Sequence, residues 1–372
     1  MDEEIELIKN SILEDNDASF APFGYAFQAD AGLYLFCDFY KDVKTIKIES
    51  SLQDIEMLDN NDHFIMAQAK ASQDPFNCSS FGSKLFDALF SLAKHYVNDD
   101  DKLIYVTNIP NVFGEEMKGQ FNDNYVTFSK LSKKAKDIVI DKIELGKTKI
   151  QREIDSGKTS EKQKEKLRLI FEKLSKFNPD NLSFLSISRY FEGCDKRTIK
   201  DKIAGFLHDD LEINDLNKIS AIINDLFDVW HNKFFLDSEL RNTNSKKTIT
   251  KEDFCWPIIT ISSLKHSPSE IAGYIDWGYD DVMGVEINAL MRSFNDNYNY
   301  ELMSDILSKY YEYSPTDKSD KKKEFILRMW EDYSKYFRYE NKNVEKAATI
   351  FFLYCTLSDY TTIAKVLRNK SI

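Results

Sequence analysis

The chain has 372 residues, 42 % hydrophobic and 13 % aromatic, enough to bury a real core and too apolar for a disordered protein. At roughly 100–200 residues per domain it holds two domains or three. Lys and Arg number 50 against 62 Asp and Glu, a net charge of −12 that argues against attraction of the whole protein to nucleic acid. With 12 Gly and 7 Pro, the chain favours long uninterrupted elements, chiefly helices, over folds built on glycine loops, and no G-x-G-x-x-G occurs.

The start, Met1-Asp2-Glu3-Glu4, is acidic and unlike a secretory leader, and no apolar run approaches the ~20 residues of a membrane span. A soluble, cytoplasmic protein is expected. Residues 22–41 place apolar side chains around most of a helix, which predicts a largely buried one. Thr45–Glu49 alternates with period two and reads as a strand, followed by a second at Asp54–Leu58. After the turn at Asn60-Asn61-Asp62 comes a third, Phe64–Lys70, apolar enough to be central. Phe81, Leu85, Ala88, Leu89, Leu92 and Tyr96 mark an amphipathic helix over 80–97, and Lys102–Thr107 is a fourth strand stopped by Pro110. The first ~110 residues thus read helix–β–β–β–helix–β, an α/β module on a mixed sheet.

From about 128 the texture is helical. Residues 130–176 hold 15 Lys/Arg against 8 Asp/Glu, +7 locally and −19 for the remainder, with a break near Ser156-Gly157. This run reads either as a solvated helical hairpin laced with ion pairs or as a basic surface that tracks a DNA backbone. Gly146-Lys147-Thr148 and Gly157-Lys158-Thr159 lack the Gly that a Walker A loop carries five residues earlier; Asp141 and Arg152 stand there. Helices are expected over 180–191, 195–208 and 215–230, with Asp195 and Asn214-Asp215 as N-caps. The polar stretch 237–253 is a candidate linker, and aromatic-rich helices fill 254–372 with a polar break at Ser314–Lys323. The dispersed cysteines (37, 78, 194, 255, 355) and histidines show no zinc spacing, which suits buried, reduced thiols. Trp230, Trp256, Trp277 and Trp330 read as packing or partner-contact residues.

Chemistry concentrates in Ile48–Lys70, which contains Glu49, Asp54, Glu56 and Gln68-x-Lys70. A hairpin of this length returns the third strand beside the second, so Asp54 lies near Gln68 and Lys70, whose side chains share a face two residues apart. Phosphodiester hydrolysis draws on a metal ion that polarises the phosphate and acidifies a bound water. Mg²⁺ takes hard oxygen ligands, which the Asp54 carboxylate and the Gln68 amide oxygen supply. The Lys70 ammonium can orient water and offset transition-state charge. Each residue also has a bland role, as a strand end, a hydrogen-bonded core polar group or a turn, and Glu56 fits a solvated edge best.

Gly24-Tyr25-Ala26-Phe27-Gln28, Ile48-Glu49, Asp54-Ile55-Glu56 and Gln68-Ala69-Lys70 together resemble the PD-(D/E)xK, restriction-endonuclease-like superfamily in its Q-x-K variant. They resemble most its antiphage effector branch: the double-stranded DNA endonucleases of CBASS and the nuclease subunits of Lamassu-type and other ABC-ATPase-linked defence systems. The likeness covers residues 20–110 in motif and is looser over 128–235. It implies an α/β nuclease core over 1–125, a helical extension over 126–236, and, past the linker, an all-α partner-binding region at 254–372. It also implies Mg²⁺ or Mn²⁺ as cofactor, a polar first-helix residue near the metal (Gln28) and an added carboxylate from Glu49. The implied partners are double-stranded DNA, an SMC-like ATPase with an accessory subunit, and further copies of the nuclease domain on activation. A non-catalytic adaptor with a degenerate nuclease fold, docking such an ATPase, is the other reading.

Overall fold

A computed structural model describes residues 22–50, 53–73, 75–76, 81–96, 99–110, 112–114, 121, 125–156, 159–187, 190, 196–239, 248–275, 299–315 and 320–369 of the protein. The chain divides into two units, Met1–Ile203 with Trp230–Ile249, and Ala204–Val229 with Thr250–Ile372. The boundary at Ile249/Thr250 falls within the expected linker 237–253, whereas none falls at 125/126, and residues 240–247 lie outside the described residues.

The first unit is organised by a sheet. Helix α1 (Pro22–Asp38) is buried almost all round, as its apolar residues require. Strands β1 (Val43–Ile48), β2 (Ile55–Asp59) and β3 (Phe64–Lys70) form an antiparallel meander in the register Ile48↔Ile55 and Ile55↔Ala67. Helix α2 (Phe81–His95) is the crossover that brings β4 (Lys102–Thr107) parallel to β3. Strand β3 therefore has partners on both edges, and Ile65 to Ala69 are all buried.

The expected helical extension at 126–236 also feeds the sheet. It holds most of β5 (Tyr125–Thr127), then helices α3 (Lys133–Asp155) and α4 (Glu161–Lys176), then β6 (Leu182–Ser186). The expectation of a helix over 180–191 is corrected here. Leu182, Phe184 and Leu185 are buried in a strand parallel to β4 and antiparallel to β5, where ladder bonds outweigh a short stretch's weak helical preference. The strand order is β5-β6-β4-β3-β2-β1-β7, with β7 at Ile249–Thr250.

The basic run forms a helical hairpin. Ser132 caps α3 and a Ser160/Gln163 capping box starts α4. Ala135, Val139, Ile143, Gly146 and Ile150 bury one stripe of α3. Gly146 belongs to the first Gly-Lys-Thr triplet, yet a Cβ there would stand 2.7 Å from the Phe90 ring, so it is a packing glycine within a helix. Gly157-Lys158 of the second triplet, and the Asp195 cap, lie outside the described residues.

Helix α5 (Arg197–Gly205) precedes α6 (Leu216–Glu239), which runs well past the expected end near 230. Asp215 caps α6 by accepting from the amides of Asn217 and Lys218. Within the first unit, Asp30 of α1 is fully buried and accepts from Tyr190 Oη and His231 Nδ1, each at 2.7 Å, with Lys196 Nζ at 3.3 Å. A buried carboxylate needs such partners, and these clamp α1 to the chain after β6 and to α6.

The second unit, in which Thr250 ends β7, adds α7 (Lys251–Leu264), α8 (Tyr300–Glu312), α9 (Lys321–Ser334), α10 (Lys342–Ser358) and α11 (Tyr360–Asn369). Trp256 packs edge-on against Tyr300, while Trp277 lies outside the described residues. Cys37, Cys255 and Cys355 are buried free thiols. Among the described residues no single helix is long and apolar enough to cross a membrane.

His266 lies between two acids of the second unit, with Nε2 2.9 Å from Asp359 and Nδ1 3.2 Å from Glu270. Asp359 also takes Lys218 Nζ at 2.9 Å, and Glu270 takes Tyr354 Oη at 2.9 Å. The Asp359 bond raises the His266 pKa above its ordinary 6.5, although burial opposes the charge. Burial works to raise the Asp359 and Glu270 carboxyls, yet the bonds they accept hold both low. The imidazolium thus stabilises the fold fully below pH 6.5, and that contribution is lost as pH rises through the raised value. The carboxylates' contributions are present above their ordinary 3.8 and 4.5 and fade only in acid. The melting temperature should fall as pH rises from 6.5 through neutrality, and His266→Gln should flatten that fall. An identical slope in the variant would count against the assignment.

Candidate functional site

The polar residues converge where β2 begins and β3 ends. Continuing the Ile55↔Ala67 register by one step puts Asp54 opposite Gln68. Asp54 is buried, and its Oδ2 accepts from the Ala69 amide at 2.9 Å and from Lys70 Nζ at 3.3 Å. Oδ1 takes no hydrogen bond among the described residues, which leaves it open to a ligand. The Lys70 side chain stays 20 % exposed, so its ammonium is anchored at one side and reachable from the other.

Gln68 is buried two residues before Lys70. Alternation along β3 puts Gln68 and Lys70 on the face of Met66, whose side chain belongs to the core shared with α2. Glu49 closes the group from β1: its amide donates to the Asp54 carbonyl at 2.7 Å, with φ at +50°. Such left-handed backbone costs a residue with a Cβ of order 1 kcal/mol or more, so the hairpin end must hold it in place. Glu56 sits one pleat along and pairs across the strands with Lys47 at 3.6 Å; it lies on an inner strand with its side chain mostly covered, which corrects the expected solvated edge.

Gln28 approaches from the other layer. Gly32, one turn later on α1, faces Ile48, and Ile48, Ile55 and Ala67 share the α1 side of the sheet. Gln28 thus lies one turn further along the same stripe, toward the end at which β1 passes into Glu49. It is 1 % exposed, and its side-chain oxygen accepts no hydrogen bond among the described residues. No hydrogen bond joins it to Asp54, Gln68 or Lys70.

Sequence reasoning missed the groups that hold this site in place. Gln53 donates through Nε2 to the Ser91 carbonyl at 2.9 Å, lies 2.8 Å from His95 Nδ1, and accepts from Ser91 Oγ at 3.2 Å. It thereby ties the turn before Asp54 to α2. Thr107 Oγ1 donates to the Lys70 carbonyl at 2.7 Å. Asn108 brackets the Ser72 backbone, accepting from its amide at 2.8 Å and donating to its carbonyl at 2.6 Å. The polar Thr107-Asn108 pair ending an apolar strand was the available signal. Asp87 of α2 has a raised pKa because burial outweighs the opposing fields of Lys70, Lys149 and Lys142.

The donors gathered here are oxygens: the Asp54 and Glu49 carboxylates and the Gln68 amide, with the unpartnered Gln28 oxygen behind the sheet. Among the described residues no group of three or more His, Cys, Asp or Glu is placed to hold a metal ion. One or two carboxylates with neutral oxygens and water nevertheless suit Mg²⁺, and a buried oxygen lacking a donor is what a cation satisfies. No family model, curated protein or solved structure matches the chain.

Gln53→Ala should destabilise the protein by about 1–3 kcal/mol, because it removes the partly buried bonds that tie the turn before Asp54 to Ser91 and His95. Urea unfolding measures this, and an unchanged midpoint would show that the turn does not depend on the Gln53 amide.

Proposed function

We propose that the protein is a metal-dependent endonuclease acting on double-stranded DNA, the effector subunit of a bacterial antiphage or anti-plasmid defence complex. The observation that carries this reading is the Asp54 carboxylate held on the Ala69 amide and Lys70 Nζ beside Gln68, at the end of a central strand. The resemblance of Gln28, Glu49, Asp54 and Gln68-Ala69-Lys70 to PD-(D/E)xK nucleases of antiphage effectors supports it.

Asp54 and Gln68 would hold Mg²⁺ or Mn²⁺ through their oxygens, with Glu49 as a further carboxylate; the resemblance adds Gln28, but Gln28 lies on the α1 side of the sheet, away from this group. The ion, when bound, polarises the phosphate and lowers the pKa of a water. Lys70 presents a fixed positive charge where the phosphate gains negative charge, and its ammonium can hold a water by hydrogen bonding. Asp54 keeps that ammonium in place before substrate arrives, so little reorganisation is needed at the moment of reaction. Thr107 and Asn108 fix the backbone on either side of Lys70. An SMC-like ATPase with its accessory subunit is the proposed trigger, bound through 254–372, and clustering of nuclease domains is the proposed switch.

Lys70→Ala should lower Mg²⁺-dependent plasmid cleavage by about 100-fold or more, assayed below its melting temperature, which loss of one partner of the buried Asp54 should lower. Cleavage at the wild-type rate would sink the nuclease reading. Failure of the wild type to bind divalent metal by calorimetry, with complex assembly intact, would favour the adaptor.

A further inference from the structure

Two lysines of α3, Lys142 and Lys149, act on the same acid of α2 as Lys70 does. Gly146 packs on Phe90, and Lys149 Nζ lies 4.3 Å from the centre of the Phe86 ring. Rising numbers on α3 meet falling numbers on α2, so the two helices run antiparallel. The first turns of α2 lie at the end of β3, where Lys84 donates to the Ala71 carbonyl. Helix α3 therefore climbs, from Gly146 through Lys149 to Arg152, toward the edge of the sheet that carries Lys70.

Lys142 and Lys149 stand seven residues apart on one face of α3, about 10 Å along its axis. The charges of both act on the half-buried Asp87, as that of Lys70 does. Arg152 is exposed one turn beyond Lys149. Lys147, on another face, is neutralised by Glu144 at 2.7 Å. A 10 Å rise covers about three nucleotide steps of a duplex strand at 3.4 Å each. Three cations thus share one face of α3, in a protein whose net charge of −12 would otherwise repel DNA.

We propose that the face of α3 bearing Lys142, Lys149 and Arg152 is the rail along which the phosphate backbone of duplex DNA lies as it enters the Lys70 site. The proposal rests on the nuclease reading for its substrate and goes beyond it in assigning the surface. The rail reads charge and spacing, so binding through it is independent of base sequence and strongly dependent on salt.

The test is binding of a short fluorescent DNA duplex to the full-length protein in EDTA, by anisotropy across a KCl series. Replacing Lys142, Lys149 and Arg152 together with Gln should weaken binding at least about tenfold at moderate salt. It should also reduce the slope of log K against log salt by about 2–3, roughly 0.9 for each phosphate that is no longer neutralised. The single variants Arg152→Gln and Lys142→Gln, at solvent-accessible positions, should each lower the slope by about 0.9 and leave the melting temperature unchanged. Lys147→Gln should leave the slope unchanged. The rail is overturned if the triple variant binds with wild-type affinity and slope, if the wild type does not bind duplex DNA at low salt, or if single-stranded RNA binds more tightly. Lys70→Ala separates the two ideas: duplex binding should persist in it, and undiminished cleavage would remove the nuclease reading while leaving the rail in place.

Discussion

The hold of Asp54 on β3 is the constraint around which the first unit is arranged. One carboxylate oxygen accepts both the Ala69 amide and the Lys70 ammonium, so it fixes where β2 starts and where β3 stops. Hydrogen bonds to a charged group contribute about 1.5–3 kcal/mol each, and a buried carboxylate stripped of its partners costs more. The arrangement is therefore stable only as a set. Gln53 holds the turn before Asp54 on α2, and Thr107 and Asn108 hold the chain on both sides of Lys70. Rigid surroundings of this kind suit a charge that must already be in place when a ligand arrives.

Much of the first unit is legible in the sequence because its signals are local. Phe64–Lys70 and Lys102–Thr107 have the bounds their apolar runs announce, and the nearness of Asp54 to Lys70 follows from hairpin length alone. Leu182–Ser186 reads as helix in sequence because its partners, β4 and β5, lie far away along the chain and the run is too short for a clear period. The role of Gln53 is hidden for a similar reason, since its partners Ser91 and His95 are nearly forty residues on. Gln28 is expected near the site, but its burial with an unpartnered oxygen on the α1 side of the sheet leaves no trace in periodicity.

Charge carries a related lesson. The composition gives −12, yet the hairpin of α3 and α4 is positive, and the charges of Lys142 and Lys149 act on Asp87 together with that of Lys70. Net charge describes long-range behaviour, whereas contact with a polyanion is decided within a Debye length of about 10 Å at 0.1 M salt. Gly146 shows the same limit of composition. In sequence it resembles the end of a nucleotide loop, and in the fold it is the small residue that lets α3 approach Phe90.

The route of the chain between units has a consequence for biosynthesis. Helix α1 is made first, but its cover comes much later: Phe234 packs on Gly32 and His231 binds Asp30, both from the stretch 230–249 that returns to the first unit. A nascent chain that has completed every strand from β1 to β6 still lacks that cover, and leaves a buried-type acid and an apolar helix face in water. Folding of the sheet unit is thus coupled to synthesis past residue 234, and a cut after Ile203 would leave the unit without the stretch that covers α1. Contacts some two hundred residues apart slow such a unit's formation, so the emerging chain spends longest in a form whose carboxylate and lysine site stands without its supporting helix packed.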